Sequence, residues 1–302
     1  MKTTSLVRGV AVFLSFWALV GCQSTTTIPI PSPFRAERVE RQAGLSPKER
    51  TWLEKNCYAG EPKLMTPPEG FNRTISRAGY ALNHSSFYRQ PLWVAEGLSR
   101  QELSGPGNRD LSKFKADEKL PVAERSEPKD YKKSGFDQGH MAPAGDFNRS
   151  QAATDESFFM SNMSPQIGPG FNRAIWSYLE DLARELISGA DSGYVLTGPM
   201  FIDPKEEDPE TADGLVPVTW VKQRVAVPTH YYKIVVTLRE RKASCVAFVL
   251  ENKSYDMPKR DIRFSEFVKS VDWVEARTGI NFMPDLPPNL ERQLERDVGA
   301  FP

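Results

Sequence analysis

The sequence predicts an α+β fold, because segments with strand character flank helical segments without a regular βαβ alternation. The strand-like segments are rich in β-branched and aromatic residues, as expected for half-buried or buried strands. They span residues 79–83, 92–96, 194–199, 216–220, 230–237 and 243–250. Helical patterns lie at 46–57, 172–188 and 264–278. No internal repeat is visible, which argues against a solenoid or a propeller.

Two of the helices are predicted from their end signals. Ser46 followed by Pro47 is a typical N-cap with proline in the first turn, and it predicts a short helix that runs to Cys57. The segment 264–278 has apolar residues on one face, and Gly279 is a helix stop.

The segment 172–188 carries two stripes. Ile175 and Leu179, continued by Leu182 and Leu186, have the spacing of a helix face that packs on a core. The neighbouring stripe, at steps of four residues, consists of Asn172, Trp176, Glu180 and Arg184. On an ideal helix Asn172 and Glu180 are about 12 Å apart along the axis, so Glu180 would reach an ion held by Asn172 only through water. Mg²⁺ suits this arrangement because it keeps much of its water shell, although the stripe is equally compatible with a solvated polar face.

The composition is that of an ordinary globular protein. Of 302 residues, 26% are charged and 39% are apolar, and the formal net charge is zero. A strongly basic protein is excluded, so any binding of a polyanion must come from a local basic patch. Such a patch is present between Ser99 and Phe136, a long irregular stretch in which basic residues including Arg109 alternate with acids, and we expect it to be a substrate-facing loop.

The N-terminus has the features of a targeting segment. Lys2 and Arg8 precede an apolar run at 9–20, which ends in a Leu-Val-Gly-Cys stretch at 19–22. This stretch resembles a bacterial lipobox, which implies that residues 1–21 are a lipoprotein signal peptide and that Cys22 is acylated. The implied location is the cell envelope, with the chain anchored to the outer membrane and facing the periplasm or the exterior. An uncleaved signal anchor or an ordinary secretory signal are the alternatives.

Residues 22–45 are rich in Ser, Thr and Pro and are expected to form a tether, followed by one folded domain at 46–302. The remaining cysteines, Cys57 and Cys245, are either a disulfide pair, as export would permit, or two buried free thiols. Neither has the spacing of a structural zinc site.

His140 is the candidate general base among the three histidines. It lies in a segment without helical period, and a neutral imidazole can take a proton from an attacking water near neutral pH. His84 and His230 lie within strand-like segments and are expected to be framework residues. Taken by itself, His140 is equally compatible with a packed, hydrogen-bonded histidine.

Four motifs in order decide the interpretation. They are Asp137-Gln138-Gly139-His140, Ala142-Pro143-Ala144-Gly145-Asp146, Asn162-Met163-Ser164-Pro165-Gln166, and Asn172-Arg173 followed by Trp176, Leu179 and Glu180. With these motifs the chain resembles the DNA/RNA non-specific endonucleases of the ββα-metal superfamily, a group that includes endonuclease G. The resemblance covers roughly residues 60 to 285. It implies a ββα-metal nuclease core with a mostly antiparallel central sheet flanked by helices.

The resemblance also implies roles for individual residues. His140 would be the general base, Asn172 the one direct protein ligand of Mg²⁺, with Mn²⁺ as a substitute, and Glu180 would order the metal's waters. Arg184 and Arg109 would contact phosphate, and Asn162 would support the His140 strand or the hydrogen bonding of the site. The implied reaction is hydrolysis of DNA or RNA, with little sequence preference, to 5′-phosphate and 3′-hydroxyl ends.

One departure stands out. Gln138 occupies a position where the family usually has arginine. The loss of this charge is expected either to weaken phosphate binding or to alter how the motif is held in place, without removing the base or the metal ligand. Two alternatives compete with an active nuclease. One is a catalytically weak or inactive nucleic-acid-binding lipoprotein, and the other is a structural envelope lipoprotein that does not bind polyanions.

Overall fold

The computed structural model describes residues 25–29 (as backbone), 44–203, 215–240 and 242–296. Its strands are β1 (Thr25–Pro29), β2 (Lys63–Leu64), β3 (Asn72–Ser76), β4 (Ala81–Ser85), β5 (Gln90–Leu98), β6 (Phe136–His140), β7 (Met163–Ile167), β8 (Ser192–Met200), β9 (Leu215–Val221), β10 (Val225–Val227), β11 (His230–Arg239), β12 (Lys242–Glu251), β13 (Val268–Lys269) and β14 (Ile280–Asn281). The α-helices are α1 (Pro47–Asn56), α2 (Pro128–Tyr131), α3 (Gln151–Ser157), α4 (Trp176–Ser188), α5 (Val271–Thr278) and α6 (Pro288–Glu295).

A seven-stranded antiparallel sheet, in the order β13-β12-β11-β8-β5-β4-β3, forms the centre of the fold. In the smaller sheets, β9 pairs with β1 on one side and β10 on the other, β14 pairs with β2, and β6 pairs with β7. The predicted α+β fold with a mostly antiparallel central sheet is therefore confirmed.

The two faces of the central sheet differ because side chains alternate along each strand. On β11, Tyr231 and Val235 belong to the apolar cluster that α4 covers. Tyr232 and Ile234 belong to a second cluster on the opposite face, which α5 covers. Each face thus buries a layer of helices, and the candidate active site is attached to the α4 face.

The predicted helix ends agree with the structure in part. Ser46 caps α1 and exchanges hydrogen bonds with Glu49, as the N-cap signal predicted. The helix predicted at 264–278 is shorter than expected. Residues 264–267 form a 3₁₀ turn, β13 follows, and α5 begins only after its cap, Ser270. The helix begins directly after Ser270, although the apolar periodicity starts earlier, because the Ser270 hydroxyl accepts the N–H of Trp273 and caps the first turn.

The segment before α4 also differs from the prediction of one helix from Asn172. Residues Gly168–Ile175 form a wider, π-type turn, in which the N–H of Trp176 donates to the carbonyl of Phe171, five residues earlier. Pro169 and Gly170 have non-helical backbone angles, with φ of 77° at Gly170. Asn172 therefore precedes the regular helix, and an axial spacing of 1.5 Å per residue does not apply to it.

The N-terminal predictions fall largely outside the described residues, including the signal peptide at 1–21, the lipidation site Cys22 and most of the tether. Within the expected tether, Thr25–Pro29 is a strand that pairs with β9. The β-branched run there favours a strand, which the Ser/Thr/Pro composition did not indicate. Across the part of the chain that the structure covers, no helix is long and apolar enough to cross a membrane.

Cys57 and Cys245 are free thiols, so the candidate disulfide does not form. Both pack among apolar side chains of the α5 face, and burial raises the pKa of Cys245 to about 12. Both cysteines are free, as in the second alternative, but only Cys57 is buried, whereas Cys245 is half-buried.

Candidate active site

A cavity of about 730 Å³ collects five of the predicted site residues, Arg109, His140, Asn172, Glu180 and Arg184. They come from four separate parts of the chain, namely the 99–136 loop, β6, the turn before α4, and α4 itself. The hypothesis required His140 and Asn172 to share one pocket, and they do. Arg100, another arginine of the 99–136 loop, donates instead to the carbonyl of Ser188 at the end of α4.

The hairpin of β6 and β7 positions His140. Gly139 lies opposite Ser164 in this hairpin, and a side chain at Gly139 would collide with the buried side chain of Gln166. This close approach explains the glycine that precedes the histidine in the motif.

Asn162 supports the chain just after His140 and does not line the cavity. Its amide oxygen accepts the N–H of Ala142 at 2.9 Å, and its amide nitrogen donates to the carbonyls of Ala142 and Ser157, both at 2.9 Å. The side chain is fully buried with its hydrogen-bonding groups engaged. Its geometry is that of a positioning residue.

The His140 ring packs against two phenylalanine rings, with centroid distances of 5.6 Å to Phe114 and 4.8 Å to Phe158, and these two rings also contact each other at 5.0 Å. Burial, together with the positive charge of Arg109, lowers the pKa of His140 to about 3. The imidazole is therefore neutral at neutral pH. Its Nε2 atom is buried and has no hydrogen-bond partner among the described residues.

Asp137 orients Asn172. The Asn172 amide nitrogen donates to Asp137 Oδ2 at 2.9 Å, and Arg173 makes a two-pronged ion pair with the same carboxylate. Gly168 allows this approach, since a Cβ there would lie 2.9 Å from the Asp137 oxygens. Because the amide nitrogen is engaged, the Asn172 carbonyl oxygen is the end of the side chain that remains available.

On α4, Glu180 and Arg184 face the cavity one turn apart. Arg184 donates to Asp146 and to Asp181, each at 2.7 Å. Glu180 is half-buried, and burial raises its pKa to about 7, opposed by the charge of Lys233 and reinforced by Asp146.

Three polar side chains of the central sheet lie beneath this site. Glu96 on β5, Thr197 on β8 and Lys233 on β11 occupy inward positions on the α4 face, and Thr197 pairs directly with Lys233 in the register. Lys233 donates to the Thr197 hydroxyl at 2.7 Å. Both carboxylate oxygens of Glu96 lack a hydrogen-bond partner within the described residues, and burial followed by the charge of Asp146 raises the pKa of Glu96 well above its usual value.

Sequence reasoning missed Glu96 and Lys233, as well as the orienting contact of Asp137. A charged residue at an inward position of an otherwise apolar strand was the available signal. The other two histidines behave as expected for framework residues. His84 is buried on β4 with its ring 3.1 Å from the Glu124 carbonyl, and His230 lies 3.0 Å from the Thr229 hydroxyl.

The donor set fits a divalent metal ion. The Asn172 amide oxygen accepts no hydrogen bond from any described residue and lines the same cavity as the Glu180 carboxylate. Amide and carboxylate oxygens are the ligands that hard divalent cations prefer.

Comparison with known proteins also indicates a metal-dependent nuclease. The model of the DNA/RNA non-specific endonuclease family matches residues 63–289. The chain belongs to this family. It is a metal-dependent endonuclease, with the fold of that group.

The relatives are nucleases from distant organisms. Nuclease C1 of Cunninghamella echinulata var. echinulata is 41% identical over 217 residues, which is 70% of this chain and 83% of the fungal protein. Endonuclease G of Bos taurus is 35% identical over 72% of this chain and 71% of its own length. A solved chain from a complex of EndoG with EndoGI matches with a TM-score of 0.66 and 34% identity, covering 74% of this chain and 90% of that one.

Proposed function

We propose that this endonuclease uses Mg²⁺ to hydrolyse phosphodiester bonds of DNA, RNA or both, with little sequence preference, leaving 5′-phosphate and 3′-hydroxyl ends. The observation that carries the proposal is the convergence of a neutral histidine, an oriented asparagine, a carboxylate and two arginines on one cavity. Mn²⁺ is the expected substitute ion.

His140 acts as the general base. An imidazole that is neutral at neutral pH can accept the proton of an attacking water without first losing one of its own. Phe114 and Phe158 fix the ring plane, and Asn162 holds the following turn, so the base is positioned before substrate arrives.

Asn172 would hold the metal through its carbonyl oxygen, with Asp137 keeping the amide in that orientation. Glu180 would hold waters around the ion, since its carboxylate lines the same cavity. A divalent cation there supplies charge neutralisation for the phosphate and for the departing oxygen.

Arg109 and Arg184 bind the phosphate. Arg109 is exposed at the cavity rim, and Arg184 is fixed by Asp146 and Asp181 from behind. Both act on the backbone of the nucleic acid, which carries no sequence information, so weak sequence preference and a strong dependence on salt are expected.

A plasmid-nicking assay tests this function. The wild-type chain should nick supercoiled DNA with Mg²⁺ and stop when a chelator is added. His140→Ala should lower the rate by about 10²- to 10⁴-fold while leaving binding to DNA unchanged. The matched control is His230→Ala, which removes a histidine outside the cavity and should cut at the wild-type rate.

Two outcomes would contradict the proposal. If His140→Ala cuts as fast as the wild type, the base is a different group. If the wild type retards DNA in a gel but leaves it intact with Mg²⁺ present, the protein is an inactive nucleic-acid-binding lipoprotein.

The location in the cell envelope, with acylated Cys22 as the anchor, is part of the proposal and is supported by the residues at 19–22. Expression in a bacterium with a labelled fatty acid should give a labelled protein in the outer-membrane fraction. Cys22→Ser should abolish the label. A wild-type protein that stays in the membrane fraction without carrying the label would show that the segment is an uncleaved anchor.

A further inference from the structure

A second group of acidic side chains lies between α5 and α6, outside the cavity that holds the candidate active site. Asp272 and Glu275 are one turn apart on α5, and Glu295 ends α6. One oxygen from each carboxylate lies within 4.8 Å of an oxygen of the other two. The three groups come from two helices that are linked only by β14 and a short loop.

Glu295 distinguishes this group from an ordinary acidic surface. The residue is 2% exposed, and its Oε1 atom is buried without a hydrogen-bond partner among the described residues. A buried, unpartnered carboxylate oxygen is costly, and one of this residue's oxygens lies in the group of three. Burial, with the charges of Glu275, Glu291 and Asp272, raises the pKa of Glu295 to about 8.

The protein supplies little positive charge here. Across residues 44–203, 215–240 and 242–296, the one ion pair made by the group joins Asp272 to Arg296, at 3.7 Å between exposed side chains. Glu275 accepts the N–H of Phe282 at 2.7 Å, which occupies one of its oxygens and fixes the side chain. Glu275 and Glu295 are thus held close to each other without a protein cation.

We propose that Asp272, Glu275 and Glu295 bind a calcium ion that connects α5 to α6. Ca²⁺ accepts carboxylate oxygens at 2.3–2.6 Å in flexible geometry, so ligands on opposite sides of one ion lie about 5 Å apart. The three oxygens all lie within 4.8 Å of one another, so they are close enough to reach one Ca²⁺ ion. Mg²⁺ requires shorter metal–oxygen distances and retains more of its water, so this site should bind Mg²⁺ more weakly than Ca²⁺.

The test uses the full chain carrying Asn172→Ala, which removes the metal ligand of the candidate active site. After treatment with a chelator, calcium chloride is added and thermal unfolding is followed. Calcium should raise the Tm of this protein by roughly 5 °C at saturation. Adding Glu295→Gln should abolish the shift, whereas the matched control Glu266→Gln, an exposed acid elsewhere, should retain it.

A second variant and a second measurement keep the result interpretable. Asp272→Asn changes an exposed ligand that the core does not require, and calorimetric titration should show its calcium affinity reduced at least about ten-fold. In the chain that retains Asn172, Glu295→Gln should leave nicking with Mg²⁺ unchanged. An equal Tm shift in all variants, or none with calcium at about 10 mM, overturns the site, because weak extracellular calcium sites saturate near 1 mM. A Tm that rises as the pH falls below 8 but ignores calcium also overturns it, since the carboxylates would then hold protons.

Discussion

Two groups of carboxylates, each built around at least one buried side chain, differ in the positive charge that surrounds them. Beneath the candidate active site, Glu96, Asp146 and Glu180 are accompanied by Lys233 and Arg184. Between α5 and α6, the one ion pair that Asp272, Glu275 and Glu295 make with a described residue is that of Asp272 with the exposed Arg296. A buried carboxylate must be paired, protonated or bound to an ion, so the two groups solve one problem in different ways.

The difference follows from the elements that carry each group. The first group lies on β5, on the 3₁₀ turn at 144–147 and on α4, and its basic partners Lys233 and Arg184 lie on β11 and α4. The second lies on two short helices at the edge of the fold. In the first region, basic side chains of the protein compensate the carboxylates before substrate binds. In the second region, the carboxylates depend on a proton or a cation from solution.

Removing Arg184, the arginine that pairs with the first group, should have the largest effect on the free energy of unfolding. Arg184→Met leaves Asp146, which is 3% exposed, without its ion-pair partner. Loss of one partner of a buried pair should lower the free energy of unfolding by about 3 kcal/mol. Urea denaturation with a chelator present measures this.

The matched control for that change is Arg260→Met. Arg260 is 83% exposed and pairs loosely with Asp261, so its replacement should change stability by less than about 0.5 kcal/mol. Equal losses in the two variants would show that the charge balance beneath the active site has no structural value, and the contrast between the regions would disappear.

A smaller effect is expected from Glu180→Gln, and it should depend on pH. The folded pKa of Glu180, about 7, lies above its ordinary value of 4.5, so this group stabilises the folded state below about pH 4.5 and loses that contribution as the pH rises through 7. The glutamine variant lacks this loss. Relative to wild type without metal, it should gain about 1 to 2 kcal/mol between pH 4.5 and 8, after allowance for solvent screening at a half-buried side chain.

Denaturation curves of both proteins across this pH range provide the measurement. A constant difference between them would mean that the folded pKa of Glu180 is not raised above its ordinary value, because Lys233 and Arg184 compensate its burial fully. In that case the positive charges of Lys233 and Arg184 would compensate the carboxylates of the first group more completely than the structure indicates.

The strands that could be predicted from the sequence are those whose residues favour strands on their own. The segments that became β5, β8, β11 and β12 are rich in Val, Ile and aromatic residues. The β6 strand, Phe-Asp-Gln-Gly-His, has no such preference, and β7 contains a proline. These two form because they pair with each other, a tertiary effect that local propensity does not contain.

The candidate site divides in the same way. His140, Asn172 and Glu180 were found because they belong to contiguous motifs. Glu96 and Lys233 come close beneath the site because β5 and β11 are the two neighbours of β8 in the sheet. This strand order is not visible in a local sequence pattern. Asn172 was assigned to the wrong element, since helical periodicity does not distinguish an α-turn from the wider turn that Gly170 permits.

The smallest expected effect is that of Gln138→Arg, which adds a positive charge to the region that already has a charge balance. Gln138 lines the cavity, and its amide makes only a long contact of 3.4 Å with the Met160 sulfur. The contact is weak, so its loss should barely change stability. The new guanidinium would face phosphate beside Arg109 and lower the KM for DNA about five-fold, corresponding to about 1 kcal/mol.

Steady-state cleavage at increasing salt separates this effect from a change in packing. The advantage of Gln138→Arg should shrink as salt rises, because the added contact is electrostatic, while kcat changes little. Gln138→Met is the control, having a similar stem without the charge, and should show no gain at any salt concentration. If Gln138→Arg leaves the KM unchanged at low salt, position 138 does not face the phosphate path, and substrate binding depends on Arg109 and Arg184 without it.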